Sequence, residues 1–131
     1  MEPFNLMKNY HRMNGAAWNL LSTQTSRVEY QVAQKLAFMA RQGNNSLVPL
    51  NDDTTSLDLS EFLSCDREGV KKHIQKLFTL GVIAKFEIYE HDKQYKKYWI
   101  FNPWLAFNGA RINNEVKNLF RNTTYARVAS N

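Results

Sequence analysis

The sequence predicts an α+β fold in which a lysine-rich helix leads directly into a β-hairpin. Three observations carry that expectation. Residues 66–104 read DREGVKKHIQKLFTLGVIAKFEIYEHDKQYKKYWIFNPW, with helical apolar spacing up to Leu80 and a break at Gly81. Two strings rich in β-branched and aromatic residues then flank a polar, basic turn. A shorter apolar segment and a turn precede the lysine-rich helix. Helix, turn, second helix and hairpin in that order make a winged helix-turn-helix, here with additional N- and C-terminal segments.

Residues 1–24 are expected to form an N-terminal extension that packs on the body or on a partner. Phe4, Leu6, Met7 and Tyr10 are its first apolar group, and Trp18, Leu20 and Leu21 its second. Residues 17–21 read as an extended or short helical lead-in. The winged-helix core is expected over residues 25–104. Ser26-Arg27-Val28-Glu29 has the capping-box pattern, a serine N-cap with glutamate three residues on. Behind it Val28, Val32, Leu36 and Met39 recur at helical spacing, with Ala33, Ala37 and Ala40 beside them. Gly43-Asn44-Asn45 is expected to end that helix. Residues 46–50 (SLVPL) read as a short strand that Pro49 confines to an edge or an end. Asn51-Asp52-Asp53 reads as a turn.

A short helix is expected over residues 57–63, with Leu59, Phe62 and Leu63 apolar. Ser64-Cys65-Asp66 forms the turn, and Asp66 is the expected N-cap of the next helix. Val70, Ile74, Leu77 and Phe78 give that helix its apolar stripe, and Gly81 stops it. Strands are expected over 82–89 and 96–101, with residues 90–95 between them. Asn102-Pro103 ends the second strand. The remaining segment, 105–131, is expected to hold a helix over about residues 114–120 and a tail, with Val116, Leu119 and Phe120 apolar.

The chain of 131 residues is long enough for one domain with a real core, and its 44% hydrophobic content argues against disorder. The formal net charge is +5. A basic balance favours an anionic partner. The placement of charge says more than its sum. Residues 44–65 contain no lysine or arginine but carry Asp52, Asp53, Asp58 and Glu61. The positive excess therefore lies in 66–104, near the N-terminus and in the tail. The single cysteine, Cys65, fits a reducing compartment. The segment after Met1-Glu2-Pro3 lacks a secretory pattern, and no apolar run approaches the roughly 20 residues of a membrane span. A cytoplasmic location without membrane contact is expected.

The expected partner is double-stranded DNA. In a helix-turn-helix the second helix enters the major groove, and its N-terminal half meets base edges. On that helix, the face opposite Val70, Ile74 and Leu77 carries Glu68, Lys72, Gln75 and Lys76, with Arg67 and Lys71 at its border. Arginine or lysine reads guanine, and glutamine reads adenine. Glu68 either accepts from cytosine or simply favours the helix N-terminus. Gly69 either permits close approach to phosphate or is tolerated in a first turn. The wing carries His91, Lys93, Gln94, Lys96 and Lys97, whose cations would contact phosphates without reading sequence. Tyr95, Tyr98 and Trp99 could stack on bases, but aromatics alternating along a hairpin read more readily as core.

An enzyme is not expected. His11, His73 and His91 are separated from one another and from Cys65, so no zinc spacing arises. There is no glycine-rich phosphate loop and no GxSxG string. The acidic residues between 52 and 61 lack the EF-hand glycine and closing glutamate. No cofactor and no metal are expected.

Three strings carry a family resemblance. Residues 63–83 follow the general winged-helix pattern, a turn, an N-cap, a valine and then Leu-Gly-x-Ile. Residues 98–109, YWIFNPWLAFNG, look like a post-wing string of aromatic strand, Asn-Pro, apolar residues and glycine. The tail, with Arg111, Ile112 and LFRNTTYA, is similar to a closing helix with a Phe-x-x-Thr ending. From about Ser22 onward the chain thus resembles the winged-helix plasmid replication proteins, the RepL-type initiators, and related phage replication proteins. The resemblance implies binding at a plasmid or phage origin, in replication initiation or its control, with replication machinery as a further partner. It gives Asn102, Pro103 and Gly109 structural roles. A MarR-like transcriptional regulator, dimerising through the terminal segments and addressing transcription machinery, uses the same surface. A winged helix serving only as a protein-interaction module is the third reading.

Overall fold

The computed structural model describes residues 12–47, 66–89, 95–109 and 111–130, with only the backbone of Arg67 and of residues 87–89 and 95–97. The described elements are β1 (Arg12–Met13), α1 (Gly15–Gln24), α2 (Arg27–Met39), α3 (Arg67–Leu80), β2 (Ile83–Tyr89), β3 (Tyr95–Phe101), β4 (Ala106–Phe107), α4 (Asn114–Leu119) and α5 (Thr124–Ala129). The fold is α+β, with helices around two small antiparallel sheets, β1–β4 and β2–β3. The expected turn at 51–53, helix at 57–63, residues Ser64 and Cys65, and the wing tip at 90–94 lie outside the described residues.

The first helix replaces the short lead-in expected over 17–21. Asn14 caps it, its Oδ1 accepting from the Ala17 N–H at 2.9 Å. Gly15 sits at the first helical position, where its entropic penalty is small. Ala17, Trp18 and Leu21 form one buried stripe. Thr25 and Ser26 then turn the chain into α2. The capping box forms as expected: the Ser26 hydroxyl accepts from the Glu29 N–H at 3.2 Å, and the Glu29 carboxylate accepts from the Ser26 N–H at 2.8 Å.

Val32, Ala33, Leu36 and Ala37 bury the inner face of α2, but Val28 is 47% exposed and leaves the expected stripe. The helix also stops at Met39, short of the glycine expected to end it. Gly43 (φ +87°) and Asn45 (φ +57°) instead fold the following turn. Asparagine tolerates this left-handed geometry better than most residues. Asn45 is fully buried and donates through Nδ2 to the carbonyls of Phe101 (3.0 Å) and Ala106 (2.8 Å). Of the strand expected at 46–50, Ser46 forms an antiparallel bridge to Ile100, and the Leu47 N–H donates to the Trp99 carbonyl at 2.8 Å. Residues 48–50 lie outside the description.

Helix α3 has the ends read from the sequence. The Asp66 carboxylate accepts from the Gly69 N–H at 2.6 Å. At the other end Gly81 is left-handed (φ +86°). The Val82 N–H donates to the Leu77 carbonyl at 2.9 Å, and the Gly81 N–H to that of Phe78 at 3.1 Å. This is a Schellman motif, which satisfies carbonyls that the helix end would otherwise leave bare.

The hairpin pairs Ile83 with Phe101 through Tyr89 with Tyr95 in unbroken register. Ile83 and Phe101 enter the main core with Trp18, Leu36, Leu77 and Tyr125. The opposite face puts Ala84, Phe86, Tyr98 and Ile100 against Val116 and Phe120. The base of the hairpin is therefore covered on both sides. Fully burying each large apolar side chain contributes about 1.5–3 kcal/mol.

The expected helix near 114–120 is α4, ending at Leu119. A further short helix, α5, follows under a Thr123 cap. Its Tyr125 is fully buried and donates its hydroxyl proton to Gln24 Oε1 at 2.6 Å. Burial pushes the phenol up to about 12. The tail thereby closes on α1, and described residues from Ala17 to Tyr125 share one core. Among the described residues no helix is long and apolar enough to cross a membrane.

A candidate nucleic-acid interface

Helix α3 turns Leu77 into the core and half-buries Val70 and Ile74 against it. A helix buried along one stripe must present the opposite side outward. Glu68, Lys71, Lys72, Gln75 and Lys76 are all exposed there, on a helix about 21 Å long. His73 is half-buried, between the apolar stripe and the exposed face. Arg67 opens the helix, and its backbone alone is described.

Little holds these side chains within the protein. Lys71 Nζ lies 3.8 Å from Glu68 Oε1, with both side chains 76% exposed. Such a pair is worth little and can reorganise toward another anion. Gln75 Nε2 reaches Thr79 Oγ1 only at 3.5 Å. Among the described residues no ion pair engages Lys72 or Lys76. Phosphate or base contacts would therefore displace few existing bonds.

The hairpin adds Lys96 and Lys97, which pair in register with Ile88 and Glu87 close to its turn. His91, Lys93 and Gln94 lie outside the described residues. The structure thus groups Glu68, Lys71, Lys72, Gln75 and Lys76 on one helix face, and of the wing set it places only the backbone of Lys96 and Lys97.

Trp99 and Tyr98 are half-buried on opposite faces of the hairpin. Trp99 packs on the main core and Tyr98 on the cluster around Val116, in keeping with the core reading. Phe78 of α3 meets the Trp99 ring edge-on at 5.8 Å. Lys85 Nζ lies 5.2 Å from the centre of the same ring. Lys85 was not among the sequence candidates. Its signal was the alternation of VIAKFEIY, which sets it on the Ile83 face and opposite Trp99. It brings a cation to the junction of helix and hairpin. Among the described residues no cluster of three or more potential metal ligands occurs.

No family model matches this chain, and no curated protein or solved structure matches it either.

Proposed function

We propose that this chain is a sequence-specific double-stranded DNA-binding protein of winged-helix type. In this reading α3 is the recognition helix and the β2–β3 turn is the wing. The observation that carries it is the exposed set Lys71, Lys72, Gln75 and Lys76 on one face of a helix that runs through Gly81 directly into a hairpin. Lysine and glutamine on that face supply donors for guanine and adenine edges. Two further observations support the arrangement. Helix α3 packs against α2 and the hairpin base through Leu77, and the Ser46–Ile100 bridge adds a third extended segment beside β3.

In the proposed complex, Arg67, Lys71, Lys72 and Gln75 approach base edges, while Lys96, Lys97 and Lys93 neutralise phosphates. Each phosphate neutralised releases counterions, so binding weakens as salt rises. The biological role we propose is replication initiation, or its control, on a plasmid or phage. It rests on the resemblance of residues 98–109 and of the LFRNTTYA tail to RepL-type initiators.

Selection of bound duplexes from a random pool tests the function. The expected result is a defined consensus whose affinity falls with salt. Recovery of no consensus, with salt-independent retention, would support the protein-interaction reading instead.

A further inference from the structure

A pocket of about 220 Å³ opens on the part of the molecule built from β1, the 102–105 turn, β4 and α4. Arg12, Met13, Trp104, Leu105, Phe107 and Lys117 line it. It shares no residue with the exposed face of α3. Its walls are held firmly. The Trp104 indole N–H donates to the Lys117 carbonyl at 2.9 Å, and its backbone N–H to Asn102 Oδ1 at 2.9 Å. The Leu105 carbonyl accepts from both the Trp18 indole and the Asn14 backbone N–H, at 2.9 and 3.0 Å.

The chemistry of the lining is specific. Trp104 and Phe107 are half-buried aromatics. Lys117 Nζ stands 4.9 Å from the Trp104 ring centre, and Arg12 adds a second cation at the rim. Among the described lining residues none is acidic. A flat apolar group with an attached anion suits such a site. Aromatic side chains beside cations bind single-stranded nucleic acid in the same manner, stacking bases while the cations meet phosphates. A volume of about 220 Å³ is below the usual range for drug-sized ligands, about 300–1,000 Å³, and the pocket is open at one side. It fits a single unit rather than a large cofactor.

We propose that this pocket is a second nucleic-acid site, which takes one nucleotide: the base against Trp104 and Phe107, the phosphate at Lys117 with Arg12 beside it. The unit can come from a free mononucleotide or from an unpaired strand. The site is independent of the duplex face, so failure of duplex binding leaves it standing.

The test uses the full chain with three probes: dTMP, an oligothymidylate of about fifteen nucleotides, and the duplex. In the parent protein, dTMP or the oligothymidylate should shift the Trp104 indole resonance and leave that of buried Trp18 in place. Lys117→Gln and Phe107→Leu should each weaken that binding about fivefold or more, with duplex affinity unchanged. Lys117→Gln should also leave the thermal midpoint unchanged, and it carries the test alone if Phe107→Leu unfolds. Competition by dTMP at concentrations like those of the strand identifies a free nucleotide as the source. Binding of the strand alone identifies an unpaired strand. The proposal is overturned if neither probe moves the Trp104 resonance, or if Lys117→Gln binds both as the parent does.

Discussion

Asn102 donates through its single amide nitrogen to the Gly81 carbonyl at 2.9 Å and to Thr123 Oγ1 at 3.1 Å. One buried side chain thereby joins the end of α3, the end of the hairpin and the start of α5. Its Oδ1 accepts from the Trp104 N–H, and its own N–H donates to the Val82 carbonyl at 2.8 Å. The three strings that carry the family resemblance meet at this residue. Asn102→Ala should cost about 1–3 kcal/mol, because it leaves a partly buried carbonyl and hydroxyl with fewer partners. Urea denaturation checks this. A loss under about 1 kcal/mol would show that water replaces the amide.

Gly81 holds the left-handed geometry that stops α3, and a Cβ there would meet Thr123 Cγ2 at 3.1 Å. Gly81→Ala is expected to destabilise by about 1–2 kcal/mol from backbone conformation alone. Thr123→Ser removes the methyl but keeps the hydroxyl that bonds Asn102. Combined with Gly81→Ala it should recover only the steric part of the loss. Full recovery in the double variant would assign the whole cost to that contact.

Trp18 and Val28 separate the true inner faces of the first two helices from the periodic pattern. Trp18→Ala should cost about 3–5 kcal/mol, as expected when a large buried aromatic is truncated. Val28→Ala, at an exposed first-turn position, should stay within about 0.5 kcal/mol of the parent. Equal losses at the two positions would place the core elsewhere.

Tyr125 makes the tail sensitive to alkaline pH. Its ordinary value is 10.0, and burial raises it to about 12. The folded state therefore holds this proton more tightly than the unfolded state. The corresponding stability is fully present below pH about 10 and is lost as pH rises toward about 12. Tyr125→Phe has no proton to lose, so its stability relative to the parent should improve across that window. Denaturation curves for both proteins at pH 8, 10 and 11 test this expectation. A constant difference between them would contradict it.

On the proposed DNA face, Lys72→Ala and Gln75→Ala should each weaken specific binding by about 1–3 kcal/mol where a base contact is lost. Lys96→Ala and Lys97→Ala should weaken all duplexes alike and flatten the salt dependence. Affinities for the selected duplex and for a scrambled one, across a salt series, separate the two behaviours. A loss of discrimination in the Lys96 and Lys97 variants would assign the wing to sequence reading.

Helix α3 and its hairpin were legible because the local signals agreed. An aspartate cap, an apolar stripe, a glycine and two alternating strings all point to one structure. Helix α1 was less legible, because Gly15 at its first position is a poor helix former and its cap, Asn14, stands before no strongly periodic apolar run. Helix α5 has only six residues, too few to show a period, and Tyr125 is anchored by Gln24 from the far end of the sequence. The β1–β4 pairing joins two residues to two, which no periodicity reveals. The candidate interface was legible in the same uneven way. The α3 face followed from its stripe, whereas Lys85 required the cross-strand register. The Trp104–Lys117 pocket depends on elements distant in sequence, so spacing could not expose it.

The central claim is that the exposed face of α3 binds duplex DNA. Titrating the selected duplex with the parent chain and with the Arg67, Lys71, Lys72 and Gln75 quadruple alanine variant, at several salt concentrations, tests it most directly. Salt-dependent binding by the parent, and its loss in a variant that remains folded, is the expected result. Equal affinity in parent and variant, or a parent that binds no duplex at any salt concentration, would contradict it.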